Sequence, residues 1–293
     1  MNTIRIQIVG SGVVGTASGI GLTDIGHDVL FVDISEKRLS ELKEEGYNTS
    51  NVPIPGYDVY MISVPTPNKG GNIDLSYVEA AMTDVAGVIS PGNLVVLRST
   101  VPPGTTDTLV IDILEHVSGL TVDKDFYVAM NPELLREVSA NSDFANAKVA
   151  VVGSHCMIGG DILSDVYKPF NIPIIRMSLV EAEIFKLANN AYGALKITFS
   201  NCIGKIASTE GARSEVILDT IAKYSHVMTE PDYGTMAGRP YGGACFPKDT
   251  LTLIQYGKLN GSRKWYGIFE AADIINQTIA KEDGHEIPEY KEL

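Results

Sequence analysis

Residues 10–15 read Gly10-Ser11-Gly12-Val13-Val14-Gly15, and this stretch decides the fold of the first half of the chain. A strand-like run over residues 4–9 leads into it, and an apolar, small-residue segment over 13–25 follows with helical character. A second strand over 29–32 then ends at Asp33. The order of strand, glycine turn, helix, strand and acid predicts the first β-α-β unit of a doubly wound, mainly parallel α/β sheet.

The glycine turn has the residue types that a dinucleotide needs. Gly10 permits a tight turn, Gly12 lets the backbone approach a pyrophosphate, and Gly15 brings helix and strand together. The start of the helix offers free N–H groups and a partial positive charge to the phosphates. Asp33 can accept hydrogen bonds from ribose hydroxyls, which favours NAD over NADP. Arg38, also predicted to bind the cofactor, lies close enough to qualify this preference slightly. The other predicted contacts in this turn are Ser11, Val13 and Val14. The alternative is a glycine-rich turn that binds nothing.

Further strands are predicted over 59–64, Leu94–Leu97, 126–129 and 149–152. Three of the loops that follow, 63–67, 99–105 and 131–137, combine prolines with hydroxyls and carboxylates. In a parallel sheet such loops meet at the carboxyl ends of the strands, where ligands bind. They predict a rigid rim for an active site, although each could be ordinary turn chemistry.

Length and composition narrow the class of protein. The 293 residues suggest about two domains, which we place at 1–175, with the sheet, and 176–293, which is helical. A net charge of −13 argues against nucleic acid as a partner. No apolar run approaches the ~20 residues of a membrane span, and the start of the chain has no signal-peptide pattern, so we expect a cytoplasmic protein. The 3 cysteines have no metal-ligand spacing, and no metal is expected.

Two features of the second half carry candidate chemistry. Lys186 and Asn190 are four residues apart in a long helical segment, 178–209, and so share one helix face, although a solvated polar stripe would look the same. Residues 242–249 place Cys245 between two glycines and a Lys-Asp pair. A thiolate there could attack a carbonyl, and the alternative is a structural cysteine in a glycine-rich turn.

Together these motifs resemble the UDP-glucose/GDP-mannose dehydrogenase family of NAD-dependent nucleotide-sugar dehydrogenases. The matching segments run in the family's order and span most of the chain: 10–15, 64–67, 99–105, 131–137, 181–197 and 242–249. The resemblance implies two successive hydride transfers from a primary alcohol to NAD, with UDP-glucose as the expected substrate and a homodimer formed through the long helix.

The resemblance also implies roles for residues. Cys245 would capture the intermediate aldehyde as a thiohemiacetal that becomes a thioester, and Lys186 with Asn190 would stabilise the oxyanions. Asp249 would act as general base or position water, beside Thr100 and Glu137 near the water and the nicotinamide. Further cofactor contacts are Val64, Pro65, Thr66, Ser99, Thr100, Glu137 and Lys248. The substrate contacts, besides Lys186 and Asn190, are Glu133, Leu134, Leu135, Arg136, Glu137, Arg239, Tyr241 and Gly242.

The chain also departs from the family pattern. It is expected to lack the third domain that supplies much of the nucleotide site, and it is short between Gly46 and Asp58. Family members have an arginine further upstream of the catalytic cysteine, and the resemblance implies that Arg239 replaces it here. Two other functions stay open: a single-step NAD-dependent hydroxy-acid dehydrogenase, and an NAD-binding interaction protein that has lost turnover.

Overall fold

The computed structural model describes residues 3–243, 245–260, 263–282 and 284, although the side chains of Glu137 and Arg263 are outside the description. The chain divides into two compact units, Met1–Asn190 and Ala191–Leu293. The first unit is a sheet flanked by helices, and the described part of the second is helical.

The strands of the first unit are β1 (Arg5–Val9), β2 (Asp28–Val32), β3 (Asn48–Ser50), β4 (Val59–Ile62), β5 (Asn68–Lys69), β6 (Asn72–Ile73), β7 (Leu94–Leu97), β8 (Tyr127–Met130), β9 (Ala150–Ser154) and β10 (Ile174–Met177). Strands β5 and β6 pair as a small antiparallel ribbon. The other 8 form one sheet in the order β10-β9-β8-β7-β4-β1-β2-β3. All neighbours in this sheet are parallel except β8 and β9. The predicted Rossmann-type, mainly parallel sheet is confirmed.

The helices of the first unit are α1 (Val13–Asp24), α2 (Glu36–Glu44), α3 (Ser76–Ala86), α4 (Ile111–Ser118), α5 (Ala140–Ala145) and α6 (Met157–Tyr167). Short helical turns occur at Thr106–Val110, Glu137–Ser139 and Lys168–Phe170. The long helix α7 (Leu179–Thr209) begins in the first unit and contains the boundary between the two units.

Apolar side chains cover both faces of the sheet. In β7, Leu94 and Val96 belong to one buried cluster, and Val95 and Leu97 to the other. Successive side chains of a strand point to opposite faces, so a strand covered on both sides is apolar throughout. This is why the central strands could be predicted from short apolar runs.

Close contacts at the first turn explain two of its glycines. Gly10 has a φ of +90°, which side-chain-bearing residues rarely adopt, and a Cβ there would lie 2.9 Å from the Ser63 backbone. A Cβ on Gly15 would lie 1.9 Å from the Gly10 carbonyl oxygen. Glycine at these positions therefore lets β1, α1 and the loop after β4 pack together.

The second unit contains the remainder of α7 and the helices α8 (Ser214–Tyr224), α9 (His226–Thr229), α10 (Phe246–Asn260) and α11 (Gly267–Glu282), with a short turn at Arg263–Trp265. Its buried core is small and is centred on Cys202, Ile254 and Phe269. Within the described ranges of both units, none of the helices is long and apolar enough to cross a membrane.

The sequence does not predict the strands at the two edges of the sheet. β3 is a short polar segment, and β10 lies where the sequence pattern already indicated helix. Each is defined by its partner, because β3 pairs with β2 and β10 pairs with β9. Short edge strands carry little signal of their own, since pairing and burial form them rather than intrinsic propensity.

Candidate active site

A cleft of about 620 Å³ opens at the carboxyl ends of β1, β4 and β7 in the first unit. Its lining includes 11 residues that the sequence predicted for the site: Gly10, Gly12, Val13, Val14, Asp33, Val64, Pro65, Thr66, Ser99, Thr100 and Glu133. The lining also includes residues that the sequence did not single out, among them Asn51, Tyr77, Asp84 and Arg98. The strand-end loops thus meet at one cleft, as a parallel sheet requires.

The glycine turn leaves the start of α1 open to this cleft. Gly12 is the residue before the helix, no side chain caps the helix there, and a Cβ on Gly12 would meet nothing within 4 Å. The first-turn N–H groups of a helix have no partner inside the helix and carry partial positive charge. These features fit the pyrophosphate of a dinucleotide.

Asp33 is held in place at the adenosine end of the cleft. One carboxylate oxygen accepts a hydrogen bond from the Ser11 N–H at 2.7 Å, and the other accepts one from the Ser35 N–H at 2.8 Å. Because both bonds come from backbone, the carboxylate has a fixed orientation at the cleft, as an acceptor for ribose hydroxyls requires.

Several predicted cofactor residues are absent from the cleft lining, and two of them, Ser11 and Arg38, support it instead. The Arg38 guanidinium donates to the Ser11 carbonyl at 2.9 Å and to the Thr16 hydroxyl at 2.6 Å. It also forms an ion pair with Glu41 at 2.9 Å. Arg38 thus stabilises the glycine turn, and its positive charge is neutralised by Glu41.

The loops after β4 and β7 are tied together by side-chain hydroxyls. Thr66 donates to the Thr100 carbonyl at 2.8 Å, and Ser99 donates to the Val64 carbonyl at 2.7 Å. Since each bond joins a side chain of one loop to the backbone of the other, the rim between the two loops is rigid.

Lys186 and Glu133 form a buried ion pair. The Lys186 ammonium lies 2.6 Å from Glu133 Oε1 and also donates to the Glu133 carbonyl at 2.8 Å. Lys186 is only 4% exposed, and the second carboxylate oxygen of Glu133 accepts from the Leu135 N–H at 2.6 Å. Asn190, one turn further along α7, is exposed. A buried pair of this kind holds its cation in one position.

Glu183 is a buried residue for which the sequence analysis predicts no role. It is 1% exposed and accepts hydrogen bonds from the Gly104 N–H at 2.5 Å and from both the N–H and the hydroxyl of Thr106, at 2.7 and 2.6 Å. It therefore fastens the 99–105 loop to α7. Its spacing of three residues from Lys186 was the one signal available, since positions three apart share a helix face.

The remaining predicted residues of the 131–137 loop lie nearer the surface. Arg136 is exposed and forms an ion pair with Asp143 at 2.6 Å, and its hydrogen bonds hold the pKa of the Asp143 carboxyl well below its usual range. Leu134 is exposed as well. The backbone of Glu137 starts a short helical turn, and its side chain lies outside the described residues.

In the second unit, Cys245 stands at the start of α10. It is exposed, and its carbonyl accepts the first helical hydrogen bond, from the Asp249 N–H at 2.9 Å. The thiol is therefore at the end of the helix that carries partial positive charge. Lys248 and Asp249 follow on the first turn, and their side chains pair at 2.5 Å.

The segment before Cys245 is anchored by Asn276 of α11, another residue for which the sequence analysis predicts no role. The buried Asn276 amide accepts from the Tyr241 N–H at 2.7 Å and donates to the Tyr241 carbonyl at 2.9 Å. Burial raises the pKa of the Tyr241 phenol. Arg239 and Gly242, on either side, are exposed. A single amide side chain thus fixes the backbone four residues before Cys245.

The sheet, the open helix start and the oriented acid together define a Rossmann-type dinucleotide-binding protein. Residues 4–52 and 46–171 match the NAD-binding domain of the UDP-glucose/GDP-mannose dehydrogenase family, and residues 180–278 match the central domain of that family. The chain belongs to the UDP-glucose/GDP-mannose dehydrogenase family, and its cofactor is NAD.

Curated relatives and solved structures agree with this assignment. The chain is 35% identical over 277 residues to a GDP-mannose 6-dehydrogenase of Pseudomonas savastanoi pv. phaseolicola, covering 85% of this chain and 63% of the relative. It is 34% identical to the UDP-glucose 6-dehydrogenase TuaD of Bacillus subtilis, covering 88% and 60%. It thus spans less than two thirds of the length of these relatives.

Among solved structures, the GDP-mannose dehydrogenase of Pseudomonas aeruginosa, crystallised as a ternary complex, superposes with a TM-score of 0.85 at 30% identity. That match covers 95% of this chain and 70% of the other. A UDP-glucose dehydrogenase from Pyrobaculum islandicum gives a TM-score of 0.71 at 29% identity, covering 97% and 72%.

Proposed function

We propose that the protein oxidises the C6 alcohol of a nucleotide sugar to a carboxylate, using NAD and Cys245. The observation that carries the proposal is the exposed Cys245 thiol at the start of α10, in a chain that also contains the family's NAD-binding domain. A simple alcohol dehydrogenase needs no nucleophile, whereas oxidation to an acid gains from one, because a covalent adduct turns the aldehyde into a second hydride donor.

The proposed sequence has four steps. A base takes the proton of the C6 hydroxyl while C6 loses a hydride, which leaves an aldehyde. The Cys245 thiolate adds to the aldehyde carbon, and the carbonyl oxygen takes a proton to give a thiohemiacetal. Loss of a second hydride and of the hydroxyl proton gives a thioester, and water then displaces the thiol to release the acid. Bound NAD supplies the hydride acceptor in both oxidations. One alcohol thus consumes two NAD and one water.

The polar residues of the site have matching roles in this proposal. Lys186 and Asn190 stabilise the developing oxyanions, and Asp249 accepts protons or positions water. The Lys186–Glu133 pair supports the first role, since a buried cation held at 2.6 Å by a partly buried carboxylate needs little reorganisation. We assign Thr100 and Glu137 to the neighbourhood of the water and the nicotinamide.

The proposed substrates are UDP-glucose, which the sequence predicts, and GDP-mannose. Relatives with these two activities are almost equally similar in sequence, at 34% and 35% identity. The higher TM-score of the GDP-mannose dehydrogenase, 0.85 against 0.71, makes GDP-mannose an equal candidate. Both sugars carry the primary C6 alcohol that the chemistry requires.

We also propose a homodimer formed through α7. Several large apolar side chains of this helix are exposed, including Tyr192 and Ile197 at 60% and 65%. Large apolar side chains left exposed along one helix favour an interaction surface there. Light scattering that shows a monomer at micromolar concentration would contradict the dimer. We further propose residues 1–175 as the cofactor domain and 176–293 as the helical domain, in a protein of the cytoplasm, where its three free thiols stay reduced.

The test is turnover of a panel of nucleotide sugars by wild-type protein and by Cys245→Ser. We expect NADH and uronic acid from GDP-mannose or UDP-glucose with the wild type, and loss of acid formation with the serine variant. Cys156→Ser is the matched control, since this thiol belongs to the first unit, and it should retain activity. Normal NADH yield from Cys245→Ser would indicate a single-step dehydrogenase, and inertness of the wild type toward the whole panel would overturn the proposal.

A further inference from the structure

Arg98 is a buried cation of the first unit that forms no ion pair with the residues the structure describes. It follows β7, is 2% exposed, and lines the cleft beside Ser99 and Thr100. Its Nε and Nη1 atoms are buried without a hydrogen-bond partner, and its guanidinium forms no ion pair with any residue that the structure describes. The arginine stays charged, because its guanidinium does not deprotonate in proteins.

The lack of a partner at Arg98 is unusual for this unit. The other buried cation of the cleft region, Lys186, is neutralised by Glu133, and the partly buried Arg38 is paired with Glu41. The Arg98 guanidinium lies over the Phe144 ring, whose centroid is 5.8 Å from Cζ. A cation–π contact recovers only part of the cost of burying a charge. An anion bound in the cleft would offset the remaining cost of burying the Arg98 charge.

The position of Arg98 in the sheet indicates which anion. Side chains alternate along β7, so Arg98 shares the face of Leu94 and Val96, which belong to the same buried cluster as Ala17 of α1. β4 is the single strand between β7 and β1, which places Arg98 about 10 Å along the sheet from β1 at ~4.8 Å per strand. Asp33 lies on the opposite side of β1, after β2.

A dinucleotide that has its adenosine ribose at Asp33 and its pyrophosphate at the start of α1 continues toward β4 and β7 with its nicotinamide half. We infer that Arg98 binds the nicotinamide-side phosphate of NAD and completes the anion site that the N–H groups of α1 begin. In a protein of net charge −13, this cation also provides local attraction for an anionic cofactor.

The inference rests on NAD binding in this cleft, and its test is binding rather than turnover. Isothermal titration calorimetry compares NAD, ADP-ribose and AMP on the wild type, Arg98→Met and Arg98→Lys. Charge-assisted hydrogen bonds predict that Arg98→Met weakens both NAD and ADP-ribose by about tenfold to a hundredfold. AMP, which lacks the second phosphate, should change by less than about twofold, and Arg98→Lys should recover part of the loss.

Two further measurements separate this role from a structural one. Arg5→Met removes the same charge from the amino end of β1, where Arg5 pairs with Asp58, and should leave all three affinities unchanged. Removing an unpaired buried charge should not lower the melting temperature of the ligand-free protein, whereas removing a structural arginine would lower it.

Three results would overturn the inference. These are equal loss of AMP and NAD affinity in Arg98→Met, loss of NAD affinity with unchanged ADP-ribose affinity, and a destabilised ligand-free Arg98→Met that binds NAD normally. If the wild type binds NAD but oxidises no nucleotide sugar, the proposed activity is wrong. The inference about Arg98 is then still decided by the measured affinities of the Arg98 variants for NAD, ADP-ribose and AMP. A wild type that does not bind NAD would overturn both.

Discussion

Glu183 provides a sharp prediction about how the site is held together. Its carboxylate accepts three hydrogen bonds from Gly104 and Thr106, and replacement by alanine leaves all three donors without a partner. Bonds to a charged acceptor are worth about 1.5–3 kcal/mol each, and three that share one acceptor are not additive, so we expect a local loss of about 3–5 kcal/mol. Glu183→Gln keeps the shape but turns one oxygen into a donor, which should cost about 1–3 kcal/mol.

Hydrogen exchange, followed by mass spectrometry on peptides that cover residues 104–110, measures this local loss of stability directly. Exchange through local opening speeds up about tenfold for every 1.4 kcal/mol lost, so Glu183→Gln should exchange up to about a hundredfold faster and Glu183→Ala faster still. The matched control is Glu181→Gln on the same helix. Glu181 is exposed and accepts hydrogen bonds from the backbone and hydroxyl of Ser178, so its replacement should leave exchange in 104–110 unchanged. Unchanged protection in Glu183→Ala would refute the reasoning.

Single side chains elsewhere in the chain should also have measurable effects. Iodoacetamide at neutral pH should label the exposed Cys245 before Cys156 and Cys202, because burial raises the pKa of the Cys156 and Cys202 thiols and leaves less of each as thiolate. Peptide mass spectrometry gives the order of labelling, and labelling of Cys202 before Cys245 in native protein would contradict the expectation. Asn276→Leu removes both hydrogen bonds to Tyr241 and should destabilise the second unit by about 1–3 kcal/mol. Unfolding in urea can be measured by the fluorescence of Trp265, the 1 tryptophan of the chain. An unchanged urea midpoint would show that these two bonds do not stabilise the unit. Because Arg136 lowers the pKa of Asp143 in the folded protein, the contribution of Asp143 to stability is present above its unfolded pKa, about 3.9, and is lost as the pH falls below that value. The free energies of unfolding of wild type and Asp143→Asn should therefore differ at neutral pH and converge in acid. A difference that stays constant with pH would argue against the ion pair.

Local patterns in the sequence predicted most of the first unit. The glycine spacing of residues 10–15 has steric consequences within a few residues, and the apolar runs of the central strands reflect burial on both faces. The edge strands β3 and β10 were missed because they depend on partners elsewhere in the chain.

The contacts that hold the candidate site together were less predictable. Helix spacing placed Lys186 and Asn190 on one face, but the pairing of Lys186 with Glu133 joins distant parts of the chain. The same holds for Asn276 with Tyr241 and for the loop anchored by Glu183. Such pairs arise from tertiary packing, and a single sequence shows neither which polar residues become buried nor what they meet.

The central claim is that Cys245 makes the reaction a four-electron oxidation. The direct measurement is the ratio of NADH to uronic acid formed by the wild-type protein from GDP-mannose and from UDP-glucose, with the acid quantified by mass spectrometry. The proposed thioester route predicts a ratio of about two NADH per acid, with no free aldehyde accumulating. One NADH per molecule of sugar, with an aldehyde as the product, would contradict it.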